Sequence, residues 1–142
     1  MKQNNIYLVG FMGSGKTSIL KKIKQIVNAN TIDLDENIEK KYGSINKIFQ
    51  TKGEKYFRNI ELETFQALPD NDTVIALGGG SLEVSHILDE VKNSELSFYL
   101  KDTFENLWKR ISNSERPLVK KGKEEILELY RLRENLYSQS KH

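Results

Sequence analysis

The stretch IYLVGFMGSGKTSIL, residues 6–20, decides how this chain folds. Gly10, four intervening residues and then Gly15-Lys16-Thr17 is the spacing of a phosphate-binding P-loop. Glycines let such a loop turn until several backbone N–H groups face one anion. The run Gly13, Ser14, Gly15, Lys16, Thr17 and Ser18 is therefore the candidate cradle for the phosphates of a nucleoside triphosphate. Lys16 adds a mobile positive charge for the outer phosphates, and the Thr17 hydroxyl is a natural Mg2+ ligand. The flanks agree with this reading. Ile6 to Val9 read as a buried strand, and Ile19, Leu20, Ile23, Ile26 and Val27 mark one face of a helix. That helix aims its free N–H groups and positive dipole end at the same anion. A bare glycine turn needs neither the Lys-Thr pair nor these two flanks.

At 142 residues the chain can build one core but not two, so residues 1–142 are expected to form a single domain. Lysine and arginine number 22 against 20 acidic residues, a net charge of +2. That balance argues against a nucleic-acid surface, and the short runs KKIK and KKGK read as solvated positions. Without cysteine there is no disulfide and no thiolate chemistry. No apolar run is long enough for a bilayer, and MKQNNIYLVG enters a strand directly rather than forming a signal peptide. A cytoplasmic enzyme acting on small molecules, without nucleic-acid or membrane partners, is the expectation. Only five basic residues are arginine: Arg58, Arg110, Arg116, Arg131 and Arg133. In a lysine-rich chain these are the better candidates for bidentate recognition of carboxylate or phosphate.

Strands are expected near 5–9, 31–34, 73–77 and 96–100. Helices are expected near 16–28, 35–42, 45–51, 54–68, 83–92, 103–112 and 123–138. This alternation predicts an α/β fold, a parallel sheet covered on both faces in a three-layer α/β/α sandwich. Ligands of such folds sit beyond the carboxyl ends of the strands. The P-loop, DLDE at 33–36 and GGGS at 78–81 should therefore gather at one rim.

Asp33 and Asp35 lie one strand after the P-loop, where a metal must be held and an acceptor hydroxyl must lose its proton. Asp35 is also placed to cap the next helix. Three successive glycines, 78–80, exceed what a plain turn needs and suggest a ligand lying on the backbone. In the helix after Gly53, Phe57, Ile60, Phe65 and Leu68 form an apolar arc that includes Glu61, with Arg58 at its edge. Arg58 and Glu61 are either a structural ion pair or an oriented anion-binding arginine. In the last helix Ile126, Leu129, Tyr130, Leu136 and Tyr137 face inward, and helical geometry puts Arg133 at the centre of that face and Arg131 opposite. An arginine there must be paired or must face a polar cavity. The polar loop SNSERPLVKKGKE, carrying Arg116, reads either as a connector or as a lid that excludes water and adds charge to a transition state.

In this order the pieces resemble the shikimate kinase family, over nearly the whole chain to about residue 140. GFMGSGKT matches its P-loop, DLD its Asp-x-Asp and GEKYFRNIE its Gly-Glu-x-x-Phe-Arg-x-x-Glu. GGG matches its triple glycine, RPL its lid and RENLY its Arg-x-x-Leu-Tyr. The resemblance implies a P-loop NTPase of the nucleoside-monophosphate-kinase type. It would use ATP as co-substrate with Mg2+ to phosphorylate the 3-hydroxyl of shikimate, on the route to chorismate and the aromatic amino acids; separately, the chain is expected to be a monomer. It implies Lys16, Asp35 and Arg116 as catalytic residues, with Asp35 on the acceptor hydroxyl and Lys16 and Arg116 on the transferring group. Thr17 and Asp33 would serve Mg2+, and Arg110 would lie against adenine. Arg58 and Arg133 would hold the shikimate carboxylate, Gly78, Gly79 and Gly80 would offer backbone to the ring, and Phe49 and Phe57 would wall the pocket. The acceptor-binding helices would span about 35–68 and the lid about 113–123.

Two departures stand out. Leu77 precedes the glycines where many relatives have threonine. Relatives also continue past the last motif into a fifth strand, an adenine-contacting loop and a final helix, where this chain reads YSQSKH. The final strand and helix are thus expected to be missing, strand 96–100 to lose a neighbour and invite pairing with another chain, and nucleotide binding to lean on the phosphates. Two other readings are a gluconate-kinase-like enzyme and a nucleotide-binding module without catalysis, the latter opposed by the presence of Lys16, Asp35 and Arg116. His86 reads as a helix residue, His142 as tail and Trp108 as packing.

Overall fold

The computed structural model describes residues 4–114 and 117–142. The chain runs β1 (Ile6–Val9), α1 (Lys16–Ile26), β2 (Asn30–Asp33), α2 (Leu34–Tyr42), α3 (Ile45–Lys52), α4 (Glu54–Gln66) and β3 (Thr73–Ala76). It continues through α5 (Ser85–Asn93), β4 (Ser97–Tyr99), α6 (Phe104–Ile111) and α7 (Lys123–Tyr137). Short 3-10 turns lie at Ser81–Glu83 and Pro117–Lys121. The strands form one sheet in the order β2-β3-β1-β4. All pairings are parallel, with Tyr7 opposite both Ile75 and Ser97, and Ile32 opposite Ile75. The helical crossovers between successive strands make this arrangement possible.

Strand alternation divides the core. Tyr7, Val9 and Ile75 point into a large cluster with Leu34, Ile38, Phe57, Ile60, Phe65, Ile87, Leu107, Ile111, Tyr130 and Tyr137. Leu8, Val74 and Ala76 point the other way, to Leu20 of α1. The three expected layers are present, with α1 covering one face and the later helices the other. Every residue of β3 is buried, as a parallel strand covered on both faces requires.

The stripe expected on α1 is not buried as a whole. Leu20 is buried, but Ile19 is partly exposed, Ile26 is 81% exposed and Val27, just beyond the helix, is 50% exposed. The reason is the small area available: on that face the sheet offers only three buried side chains, Leu8, Val74 and Ala76, to the middle of the helix.

The outer edge of β4 also differs from expectation. The His142 N–H donates to the Ser97 carbonyl at 3.0 Å, and the Tyr99 N–H donates to the His142 carbonyl at 2.8 Å. The His142 ring stacks on Phe98, with centroids 5.1 Å apart. What reads as tail lies along the strand in the hydrogen-bond pattern of a parallel bridge. His86 is an exposed position of α5, and Trp108 packs beside Phe104, both as expected.

Asn5 fixes the start of the sheet. Its side chain, 1% exposed, donates to the Pro69 carbonyl at 2.9 Å and accepts from the Thr73 N–H at 3.1 Å. It thereby sets the register of β1 against β3 before the ladder begins. Asn5→Ala strands one buried donor and one buried acceptor, so urea melts should show a loss of about 2–4 kcal/mol. A loss under about 0.5 kcal/mol, the surface-substitution range, would mean the contact holds nothing.

Candidate active site

The carboxyl ends of β1, β2 and β3 meet around a cavity of about 710 Å³. Its walls include the loop residues Met12 to Ser18, then Asp33, Asp35, Gly79 and Arg110. The three stretches singled out at strand ends do gather at one rim.

The loop after β1 owes its shape to two left-handed residues, Gly13 (φ +80°) and Gly15 (φ +96°). A Cβ on Gly13 would lie 2.7 Å from the Ile111 Cγ2, so α6 also demands glycine there. Gly15 caps α1, leaving that helix's first N–H groups facing the cavity. The Lys16 ammonium folds over the loop onto the carbonyls of Gly10 and Phe11. The Thr17 hydroxyl donates to Asp33 Oδ2 at 2.9 Å.

The other Asp33 oxygen accepts from the Glu36 N–H at 3.2 Å, which makes Asp33 the cap of α2. The capping alternative for Asp35 is thereby corrected, because Asp35 sits inside the first turn. Its carboxyl is pushed up to about 6 by burial, then by the charges of Glu61 and Asp33, against the pull of Lys16. Gly78 makes room for it, since a Cβ there would stand 2.6 Å from Asp35 Oδ1.

Arg58 donates to Glu61 Oε1 at 2.8 Å and to Glu83 Oε2 at 3.1 Å, with Glu54 at 3.6 Å. Burial pulls its pKa down, but Glu61, Glu83 and Glu54 outweigh it and hold the guanidinium charged. Glu61 is 1% exposed, and its second oxygen accepts from the buried Ser81 hydroxyl at 2.8 Å. Arg133 is 6% exposed and reaches the same Glu83 oxygen at 3.5 Å. Arg131, as expected, faces solvent. The Nε atoms of Arg58 and Arg133 are buried with no hydrogen-bond partner among the described residues. Arg58 lies over the Phe57 ring, 5.3 Å from its centroid, and Phe57 pairs with Phe49 at 4.8 Å.

Phe49, Phe57, Arg58 and Arg133 do not line the main cavity; Arg58 opens onto a second hollow with Glu54, Lys55, Asn59 and Glu83. Gly79 joins the two regions. It lines the main cavity, a Cβ on it would come to 3.6 Å from Arg133 Nη1, and its carbonyl accepts a hydrogen bond from the Tyr137 hydroxyl. Arg110 bridges the Gly13 carbonyl (2.9 Å) and Asp102 (2.8 Å) at the cavity wall. Arg116 lies outside the described residues. Sequence reasoning missed Glu83, Ser81 and Tyr137. Asking which carboxylate pairs with Arg133 would have pointed to an acid near the glycine turn.

The shikimate kinase family model matches residues 12–142. A shikimate kinase of Dictyoglomus turgidum is 44% identical over 95% of this chain and 83% of that protein. The shikimate kinase of Acinetobacter baumannii in complex with shikimate superposes with a TM-score of 0.84 at 30% identity, over 96% of this chain and 79% of that one. That of Aquifex aeolicus gives 0.82 at 35% identity, over 96% and 83%. The chain belongs to the shikimate kinase family. Its activity is that of the family, ATP-dependent phosphorylation of shikimate, rather than a gluconate-kinase-like reaction or nucleotide binding alone. Among the described residues of this family member, no helix is long and apolar enough to cross a membrane. Nor do they include a cluster of three or more His, Cys, Asp or Glu side chains suited to a metal.

The environment of Asp35 has a measurable sign in this shikimate kinase chain. The folded protein holds the Asp35 proton more tightly than the unfolded chain, so stability falls as pH rises between 3.8 and about 6. Asp35→Asn removes that charge and should stabilise the fold by about 1–3 kcal/mol at pH 8. The gain should shrink as the pH approaches the ordinary carboxylate range. Urea melts across pH measure it; a destabilised variant at pH 8 would mean that the carboxylate serves the fold rather than the reaction.

Proposed function

We propose that this shikimate kinase transfers the γ-phosphoryl group of ATP to the shikimate 3-hydroxyl with Asp35 as the base. The observation that carries the reading is a single cavity joining the phosphate loop to a carboxylate with a pKa near 6. A base poised close to ambient pH accepts a proton readily and returns it readily. Gly13 to Ser18 and the start of α1 hold the phosphates, and Lys16 swings from the loop carbonyls to the transferring group as charge develops there. Thr17 and Asp33, two hard oxygen donors 2.9 Å apart beside the loop, fit what Mg2+ takes alongside substrate phosphates. They would hold Mg2+, Asp33 through water, where it would offset phosphate charge. Arg110 lies against the adenine.

On the acceptor side Arg58 and Arg133 hold the shikimate carboxylate, with the buried Nε atoms as spare donors. Phe49 and Phe57 wall the ring, while Gly78, Gly79 and Gly80 bring backbone against its hydroxyls. Arg116 joins Lys16 on the transferring phosphoryl group, from a lid spanning about 113–123.

ADP release should require both shikimate and Mg2+, and Lys16→Ala should abolish it while leaving the melt intact. Asp35→Asn should lower kcat by roughly 10²–10⁴. ADP release from Asp35→Asn at near-native rate would remove Asp35 from the chemistry. Arg133→Ala should weaken shikimate binding by roughly 2–5 kcal/mol, the range for truncating one side of a desolvated charge pair. Arg131→Ala should change it by no more than about 0.5 kcal/mol. Matching effects at the two arginines would refute the assignment of Arg133 to the site.

A further inference from the structure

We propose that Glu83 is an internal occupant of the arginine pair, an anion that the acceptor's carboxylate must displace; this rests on the reading of Arg58 and Arg133 as the carboxylate clamp. One oxygen, Glu83 Oε2, stands 3.1 Å from Arg58 Nη2 and 3.5 Å from Arg133 Nη2. These are the two nitrogens that close over Gly80, where a Cβ would overlap both guanidiniums. The two cations therefore converge on one point, and the oxygen at that point belongs to the protein itself.

The two carboxylates that accept hydrogen bonds from Arg58, Glu61 and Glu83, differ in how firmly they are held, while Glu54 stands farther off at 3.6 Å. Glu61 is sealed from water, with both oxygens committed, one to Arg58 and one to Ser81. Glu83 lies at the end of a three-residue 3-10 turn, its side chain is 34% exposed, and its carboxylate makes no hydrogen bond beyond the two arginines among the described residues. It also borders the hollow shared with Glu54, Lys55, Arg58 and Asn59, so rotation about its own side chain carries it into water. Glu61 is the fixed counter-ion and Glu83 the exchangeable one.

Two guanidiniums side by side repel unless a counter-charge lies between them. Glu83 supplies it before the acceptor arrives, and shikimate supplies it afterwards. Binding is then an exchange of one carboxylate for another. Net affinity is lowered by the contacts Glu83 gives up, and an anion that cannot also use the ring-binding contacts gains too little to enter. Glu83 is a specificity-determining and positioning residue, with no part in the chemical step.

Glu83→Gln keeps the shape and removes the competing charge. The KM for shikimate should fall roughly 3- to 10-fold, while the KM for ATP should stay in place. Glu83→Asp, too short to bridge both arginines from the same turn, should move the shikimate KM in the same direction by less. If shikimate KM is unchanged or raised in a Glu83→Gln variant that melts normally, the proposal is overturned, since the carboxylate would then be a bystander or a support for the clamp. Arg133→Gln separates this failure from failure of the clamp itself. A raised shikimate KM in Arg133→Gln beside a flat Glu83→Gln removes only the role of Glu83. An unmoved KM in Arg133→Gln removes the clamp and this proposal with it.

Discussion

A carboxylate almost closed to water, Glu61, holds the acceptor half of the molecule together. One oxygen takes the Arg58 guanidinium and the other takes the Ser81 hydroxyl, so α4 is tied to the turn that follows β3. A buried charge is tolerable only when fully paired, which makes this geometry all or nothing. The same charge is, after burial, the largest influence raising the Asp35 carboxyl. A single residue thus steadies the Arg58 guanidinium and makes the neighbouring carboxylate more basic. On the proposed assignment, binding and proton transfer would share this electrostatic support.

The glycine run shows how little of this depends on unusual backbone angles. Gly78, Gly79 and Gly80 are absent from the left-handed glycines; the observed demand is for space. Gly78 yields it to the Asp35 carboxylate and Gly80 to the two guanidiniums, while a Cβ on Gly79 would meet its neighbours only at ordinary contact distance. Two of the three adjacent positions lack side chains for separate reasons, and the bodies pressed against them are side chains of this chain.

Much of the fold was legible because its signals are local. The P-loop spacing and the strand and helix alternation act within a few positions of themselves. Arg133 could be told from Arg131 by helical phase alone. What was not legible depends on area or on distant pairing. The apolar stripe of α1 looks buried in sequence, yet the sheet face beneath it covers only Leu20 fully. Asp35 reads as a cap of the next helix, and Asp33 takes that place only because the strand is seen to end at Asp33. Glu83 carries no motif, and its importance appears only when α4, α7 and the glycine turn converge. The line of His142 along β4 is likewise a matter of where the chain goes after α7.

The two halves of the site are spread very differently along the chain. The phosphate loop is a contiguous stretch, residues 10–18, on one strand-to-helix junction. The acceptor half gathers Asp35, Arg58, Glu61, the glycines, Glu83 and Arg133, from four segments that must all be docked at once. Local loosening therefore does not degrade the two halves alike. Opening α7 or the turn before α5 scatters the acceptor contacts while the loop after β1 keeps its shape. On the proposed assignment of the site, a weakened core would therefore cost this chain its choice of phosphate acceptor before its hold on nucleotide.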